Sequence, residues 1–216
     1  MLSSMRILAL SVLCSSVLLA CGRHEPAADP GTVPASTPSP NPPPRDAEIH
    51  AVFTQRSGTI RVRLAIREAP RTCLSFINLV ERDYFDGRPW DEFSPVVRQC
   101  GETYSMYTLP HEFTPRLLFN RPGLLCVSNT TNDATARAKP TRIFFTVKEQ
   151  DRWNLVYAPF GEITDGLVVA KSLVEGETIE DIVIEADPEA LRVLRSRFAG
   201  DLAEWNRLID ARINSG

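Results

Sequence analysis

Residues 49–64, IHAVFTQRSGTIRVRL, alternate apolar and polar side chains in two arms set around Arg56-Ser57-Gly58. A period of two puts every second side chain on one face, so the segment reads as a β-hairpin with a core-facing side. Further strand-like runs follow. Residues 88–102, RPWDEFSPVVRQCGE, are rich in aromatic and β-branched residues, and residues 124–128 and 143–147 are continuous apolar runs of the kind that fill buried strands. Residues 154–163 and 179–184 complete the set, while two stretches have helical patterning. One opens at Pro70 and Thr72 with Leu74, Ile77, Leu79 and Val80 facing a core, and the other spans residues 166–174. Many strands with two helices imply a mainly β fold, an antiparallel barrel or sandwich with helices at its ends.

The chain before the hairpin is of another kind. Residues 1–20 carry Arg6 and then an apolar run, Ile7 to Ala20, that is too short to span a bilayer comfortably. By length and flanks it is an export signal. Its ending, Leu18-Leu19-Ala20-Cys21, resembles a bacterial lipoprotein signal, with Cys21 as the lipidated first residue of the mature chain. Such acyl chains hold a protein to a membrane by roughly 0.8 kcal/mol per buried methylene. Gly22 stands where an aspartate would signal inner-membrane retention in a Gram-negative envelope, so the expectation is an exported lipoprotein on the periplasmic face, favouring the outer membrane. Residues 21–48 are crowded with Pro, Ala, Ser and Thr and almost without large apolar side chains. That composition cannot support a core and suits an extended tether, followed by a folded domain over residues 49–186.

A formal charge of −3 with a pI near 5.7 gives no reason to expect a nucleic-acid partner. His24, His50 and His111 are scattered and no paired-cysteine motif is present, so neither a metal nor a cofactor is expected. In an oxidising compartment Cys100 and Cys126 are the candidate pair, with Cys73 left over. Residues 187–216 form an amphipathic helical segment in which Leu191, Leu194, Phe198, Leu202, Trp205 and Ile213 recur at helical spacing. Asp187 suits its N-cap, Pro188 its first turn, and Gly200 is the expected place for a bend. The stripe over 188–213 has two readings, packing on the domain's own surface, which is favoured, or docking a protein partner.

The order of these elements resembles the cyclophilin-type peptidyl-prolyl isomerases from about Ile49 to Ile184. Residues 57–64 with Ala69-Pro70-Arg71-Thr72 and Ser75-Phe76 look like that family's G-x-I-x-x-x-L…A-P-x-T-x-x-N-F opening, with Ser75 for the usual Asn. Tyr84-Phe85-Asp86-Gly87 is similar to its Y-Y-D-G turn, and residues 119–129 to its glycine-led strand ending in Ala-Asn. Ile143-Phe144-Phe145 resembles S-Q-F-F, and Phe160-Gly161-Glu162-Ile163 resembles F-G-x-V. The resemblance implies a closed eight-stranded antiparallel β-barrel capped by two helices, with the C-terminal helix as an addition. It implies rotation about X-Pro bonds as the activity; taken with the export signal, the expected partners are proline-containing segments of secreted or envelope proteins.

Laid on the family's F-H-R-V-x-P-x-F-x-x-Q-G-G-D signature, Trp90 takes the aromatic place, Asp91 the histidine and Glu92 the catalytic arginine. A one-residue gap after Pro95 brings Val96 onto the pocket phenylalanine and Gln99 onto the glutamine. Without the gap, Val97 would be the pocket residue and Cys100 would displace the glutamine. The gapped register is preferred because it restores a glutamine, a glycine and an acid together. Phe145 then matches the floor of the proline pocket, Asn129 and Ser128 the residues beside the bound peptide, and Tyr157 a groove aromatic. Ile143 takes the place of a groove glutamine, and Phe144 is read as strand core. Strand alternation turns Arg98 away from Gln99. A glutamate can accept but not donate when ionised, so the expectation is a groove that binds proline peptides but catalyses weakly or not at all.

Overall fold

The computed structural model describes residues 48–131 and 136–213. The signal and tether readings, Cys21 included, lie outside these residues. Alternation works as the sequence implies: in β1 (Ile49–Gln55) Ile49, Ala51 and Phe53 point inward, and in β2 (Gly58–Leu64) Ile60, Val62 and Leu64 do. The two strands pair antiparallel from His50 with Arg63 to Gln55 with Gly58, which leaves Arg56-Ser57 as a two-residue turn. The remaining strands are β3 (Trp90–Phe93), β4 (Val97–Gly101), β5 (Leu124–Asn129), β6 (Ala138–Thr146), β7 (Pro159–Asp165) and β8 (Asp181–Ala186).

All eight form one antiparallel sheet in the order β3-β4-β6-β5-β7-β2-β1-β8. Its two ends meet just before β3 and β8. Gly87 N–H donates to the Ile179 carbonyl at 2.7 Å, Ile179 N–H to Arg88 at 3.0 Å, and Trp90 N–H to Glu177 at 2.8 Å. These bonds curl the sheet into a barrel around Phe53, Phe76, Phe85, Trp90, Phe145 and Phe160, all fully buried.

Helix α1 (Pro70–Val80) begins at Pro70 but has no local side-chain cap. Glu112 supplies one from the irregular segment after β4. Its carboxylate accepts from the Arg71 N–H at 3.1 Å, and from the Thr72 N–H and hydroxyl at 2.8 Å each. A carboxylate suits the positive end of a helix dipole, and here it also pins a long loop. The short α2 (Leu167–Ser172) packs near Gly58, where a Cβ would lie 3.1 Å from Val169 Cγ2.

The C-terminal stripe is consumed within the domain. It forms α3 (Pro188–Arg197) and α4 (Ala199–Ile213), divided at Phe198 rather than at Gly200, and Asp187 caps α3 by accepting from Glu189 N–H and Ala190 N–H. Leu194, Trp205 and Ile209 are buried in the barrel's own core cluster, and Trp205 stacks on Tyr107 at 5.4 Å. Asn78 donates to Asn206 at 3.0 Å, and Arg71 and Arg82 pair with Asp201 and Asp210. These contacts cover the outer side of α1 and match the favoured reading, packing on the domain's own surface; Leu191, Phe198, Leu202 and Leu208 pack against the same core and stay partly exposed. Residues 154–158 also differ from expectation. A 3-10 turn at Asp151–Trp153 and an αL residue, Leu155 (φ 63°), replace the start of a strand, and β7 begins only at Pro159.

Candidate functional site

The outer faces of β3, β4, β6 and β5 form one surface, and its composition follows from pairing register. Glu92 lies opposite Gln99, Gln99 opposite Phe144, and Phe144 opposite Cys126. Directly opposed residues of antiparallel strands share a face, so these four make a row across the outside of the barrel. Gln99 Nε2 donates to Glu92 Oε2 at 3.1 Å. The next row holds Gly101 and Arg142.

A β-bulge between Trp90 and Glu92 adds one residue, Asp91, to β3. Bulges re-aim side chains, and this one lets two consecutive carboxylates reach the same cation. Arg142 Nη2 donates to Asp91 Oδ1 at 3.0 Å and to Glu92 Oε2 at 3.1 Å, while Nη1 donates to Asp91 Oδ2 at 3.2 Å and to the Gly101 carbonyl. The Asp91 contact is the bidentate fork that guanidinium and carboxylate favour. Gly101 permits it: φ is +102° and a Cβ would sit 2.2 Å from the Thr141 carbonyl oxygen, so no other residue fits there. Burial works against the Arg142 charge, but the hydrogen bonds and charges of Asp91 and Glu92 outweigh it and hold its pKa above the ordinary value. The Arg142 side chain is only 8% exposed, against 59% for Glu92.

Beside the charged cluster lies an apolar one. Phe144, Val97, Leu117, Phe119, Leu124 and Cys126 are buried together, with Val96, Trp153 and Tyr157 partly buried against them. Phe144 is 2% exposed and meets Trp153 and Tyr157 edge-on at 6.0 and 5.5 Å. Asn129 Nδ2 donates to the Val156 carbonyl at 2.8 Å, which ties the end of β5 to the turn carrying Tyr157. Burial first, and then the Glu92 charge, push the Tyr157 hydroxyl above its ordinary pKa. Ser128 follows a second bulge, between Val127 and Ser128, and is half-buried.

Several sequence assignments change. Phe145 does not floor the groove: it is fully buried inside the barrel against Phe53 and Trp90, and Phe144 faces outward instead. Trp90 is likewise interior, with no exposed surface, so it cannot touch a peptide on the outer face. Ile143 also points inward, which leaves Arg142 at the groove position. The S-Q-F-F resemblance therefore falls one residue earlier, on Thr141-Arg142-Ile143-Phe144. Sequence reasoning missed Arg142 because it matched the Phe-Phe pair by identity. Counting strand parity from Gln99 through its partner Phe144 would have found it.

Arg98 lies on the other face, over the Phe93 ring at 5.0 Å, and donates to the Ser94, Val97 and Lys171 carbonyls. It supplies nothing to the groove. The Cys100–Cys126 pairing is also corrected. Cys100 faces the barrel interior, Cys126 faces outward, and β6 lies between their strands. Two strand spacings come to about 9.6 Å, beyond the ~7 Å that a disulfide tolerates between Cα atoms; both thiols are free.

Residues 50–193 match the family model of the cyclophilin type peptidyl-prolyl cis-trans isomerase. A spliceosome-associated protein CWC27 homolog from Danio rerio is 29% identical over 136 residues, which are 58% of this chain and 28% of the relative. The chain therefore spans under a third of that protein's length. A crystal structure of a Cryptosporidium parvum cyclophilin type isomerase superposes with a TM-score of 0.58 at 19% identity, covering 65% of this chain and 99% of that one. A second structure of that protein, in the presence of the dipeptide Ala-Pro, gives a TM-score of 0.56 at 19% identity, covering 64% and 99%.

Proposed function

We propose, for a chain that belongs to the cyclophilin-type peptidyl-prolyl cis-trans isomerase family, that its groove binds X-Pro segments and turns them over slowly or not at all. The reaction crosses a rotational barrier of about 18–20 kcal/mol without bond cleavage. A protein can speed it only by interactions stronger with the twisted amide than with the planar one. The natural source of such an interaction is a hydrogen-bond donor held ready beside the proline pocket.

The observation that carries this reading is the state of Arg142. The groove does contain a guanidinium, brought in from β6, but Asp91, Glu92 and the Gly101 carbonyl take its Nη donors. What the row presents to solvent at that place is a carboxylate, which accepts hydrogen bonds and repels a carbonyl oxygen. A missing donor at other enzymes' oxyanion sites costs roughly 10²–10³ in rate. The partly exposed apolar rim of Val96, Trp153 and Tyr157, backed by the buried Val97 and Phe144, supports peptide binding beside it, as does the Ala-Pro dipeptide studied with the Cryptosporidium parvum protein. A protease-coupled assay of the full chain on Ala-Ala-Pro-Phe anilide tests this: turnover at least a hundredfold below a turnover-competent cyclophilin is expected, and equal turnover refutes the proposal.

We further infer that the chain works outside the cytoplasm, on secreted or envelope proteins, held to a membrane through lipidated Cys21. The support is residues 1–48 alone: a short apolar run ending at Cys21, then a proline-rich stretch free of large apolar groups. In a bacterial host, Cys21→Ser should release the protein from the membrane fraction; retention after that change contradicts the anchor.

A further inference from the structure

Resting on the peptide-binding reading above, we propose that this groove prefers peptides with lysine or arginine beside the proline, with Glu92 as the counter-charge. Glu92 Oε2 accepts from both Gln99 and Arg142, whereas Oε1 accepts no hydrogen bond among the described residues. With the side chain 59% exposed, that second oxygen faces solvent on the row that runs through Gln99 to Phe144. Asp91 and Glu92 share one guanidinium, which engages three of their four carboxylate oxygens and leaves Glu92 Oε1 open.

The nearest further cation, Lys139, donates to the Thr103 carbonyl at 3.3 Å and offsets part of the Glu92 charge through space without forming an ion pair with it; Arg98 is committed to backbone carbonyls on the opposite face. Phe144 links the two ends of the row: it lies opposite Gln99 in the β4–β6 pairing and meets the Tyr157 ring edge-on at 5.5 Å, so the carboxylate and the apolar rim share one surface. A peptide whose proline rests against Val96 and Tyr157 then has its neighbouring side chain within reach of Oε1. A cation there completes the pairing that Arg142 leaves open, and an anion meets a bare carboxylate. An exposed ion pair gives about a 1.5- to 5-fold preference.

The test is fluorescence polarisation with the full chain and three labelled peptides, Ala-Lys-Pro-Phe, Ala-Ala-Pro-Phe and Ala-Glu-Pro-Phe, at low salt. The expected affinity order is Lys, then Ala, then Glu. The Lys-to-Ala ratio should shrink in strong salt, where charges are screened beyond about 3 Å at 1 M. It should fall towards one in Glu92→Gln, whose fold is checked by circular dichroism; the salt arm needs no variant. Equal binding of the three peptides overturns the charge preference and leaves the peptide-binding reading standing, as does a preference that persists in Glu92→Gln. Binding of none overturns both.

Discussion

Placing arginine at position 92 would be expected to restore catalysis if Glu92 were the only change in the groove. The surroundings of Glu92 predict otherwise. Its Oε2 lies 3.1 Å from Arg142 Nη2, so Glu92→Arg puts a second guanidinium where the first one's partner was. Two like charges about 4 Å apart repel by roughly 4 kcal/mol at an effective dielectric constant of 20. The new side chain would escape to solvent, and Arg142 would keep Asp91 and the Gly101 carbonyl. Turnover in the single variant should therefore rise by less than about tenfold, the gain that 1.4 kcal/mol of barrier gives. The melting temperature should fall by about 2–4 °C for each kcal/mol lost. Combining Glu92→Arg with Arg142→Gln removes the repulsion and leaves a donor beside Gln99, so turnover should rise by about 10²–10³ over wild type. A protease-coupled assay on wild type, both single variants and the pair measures the non-additivity. A single Glu92→Arg variant as active as the double one would refute the argument from Arg142.

Glu177 is 6% exposed and accepts from the Ser57 N–H at 2.7 Å. Burial acts to raise its pKa, but the Ser57 hydrogen bonds, with a further one to the Val174 backbone and the Arg56 charge, together outweigh burial and leave it below the ordinary glutamate value. Its contribution to stability is thus full above the unfolded value, near 4.3, and is lost as pH falls through the folded one; Glu177→Gln should flatten the acid side of a melting-temperature profile between pH 3 and 6. Trp205→Ala should cost about 3–5 kcal/mol in urea unfolding, because the ring is buried on Tyr107, whereas a near-zero cost would return α4 to the status of a free docking surface. Phe145→Ala should likewise cost about 3–5 kcal/mol, while Phe144→Ala should also weaken X-Pro peptide affinity; affinity loss confined to Phe145→Ala would mean that the two faces of β6 have been exchanged.

The hairpin, the two barrel helices and the capped C-terminal helix were legible because each rests on local signals: alternation, Pro at a first turn, Asp at a cap. The groove was legible in outline for a related reason, since Glu92 and Gln99 sit in a signature long enough to be aligned. It failed at β6, where Ile143-Phe144-Phe145 has no internal alternation to say which side is out. Parity there is set by the partner strands β4 and β5, and that information is non-local. A single slip of register exchanged the two phenylalanines and concealed Arg142. The bulge that adds Asp91 to the cluster was invisible for the same reason, because bulges are properties of a strand pair. Glu112 capping α1 from 40 residues away along the chain is a third case. That the C-terminal stripe packs on its own domain is the reading its spacing favours, but its partners on α1, Arg71, Asn78 and Arg82, are non-local.

The central claim is that this groove engages proline peptides while its guanidinium stays locked. Two-dimensional exchange NMR on one sample of the full chain with Ala-Lys-Pro-Phe measures both halves at once. The account predicts peptide resonances that shift with protein concentration, with no cis–trans exchange cross-peaks above the uncatalysed rate. Strong exchange cross-peaks would contradict the locked guanidinium, and unshifted peptide resonances would contradict the groove.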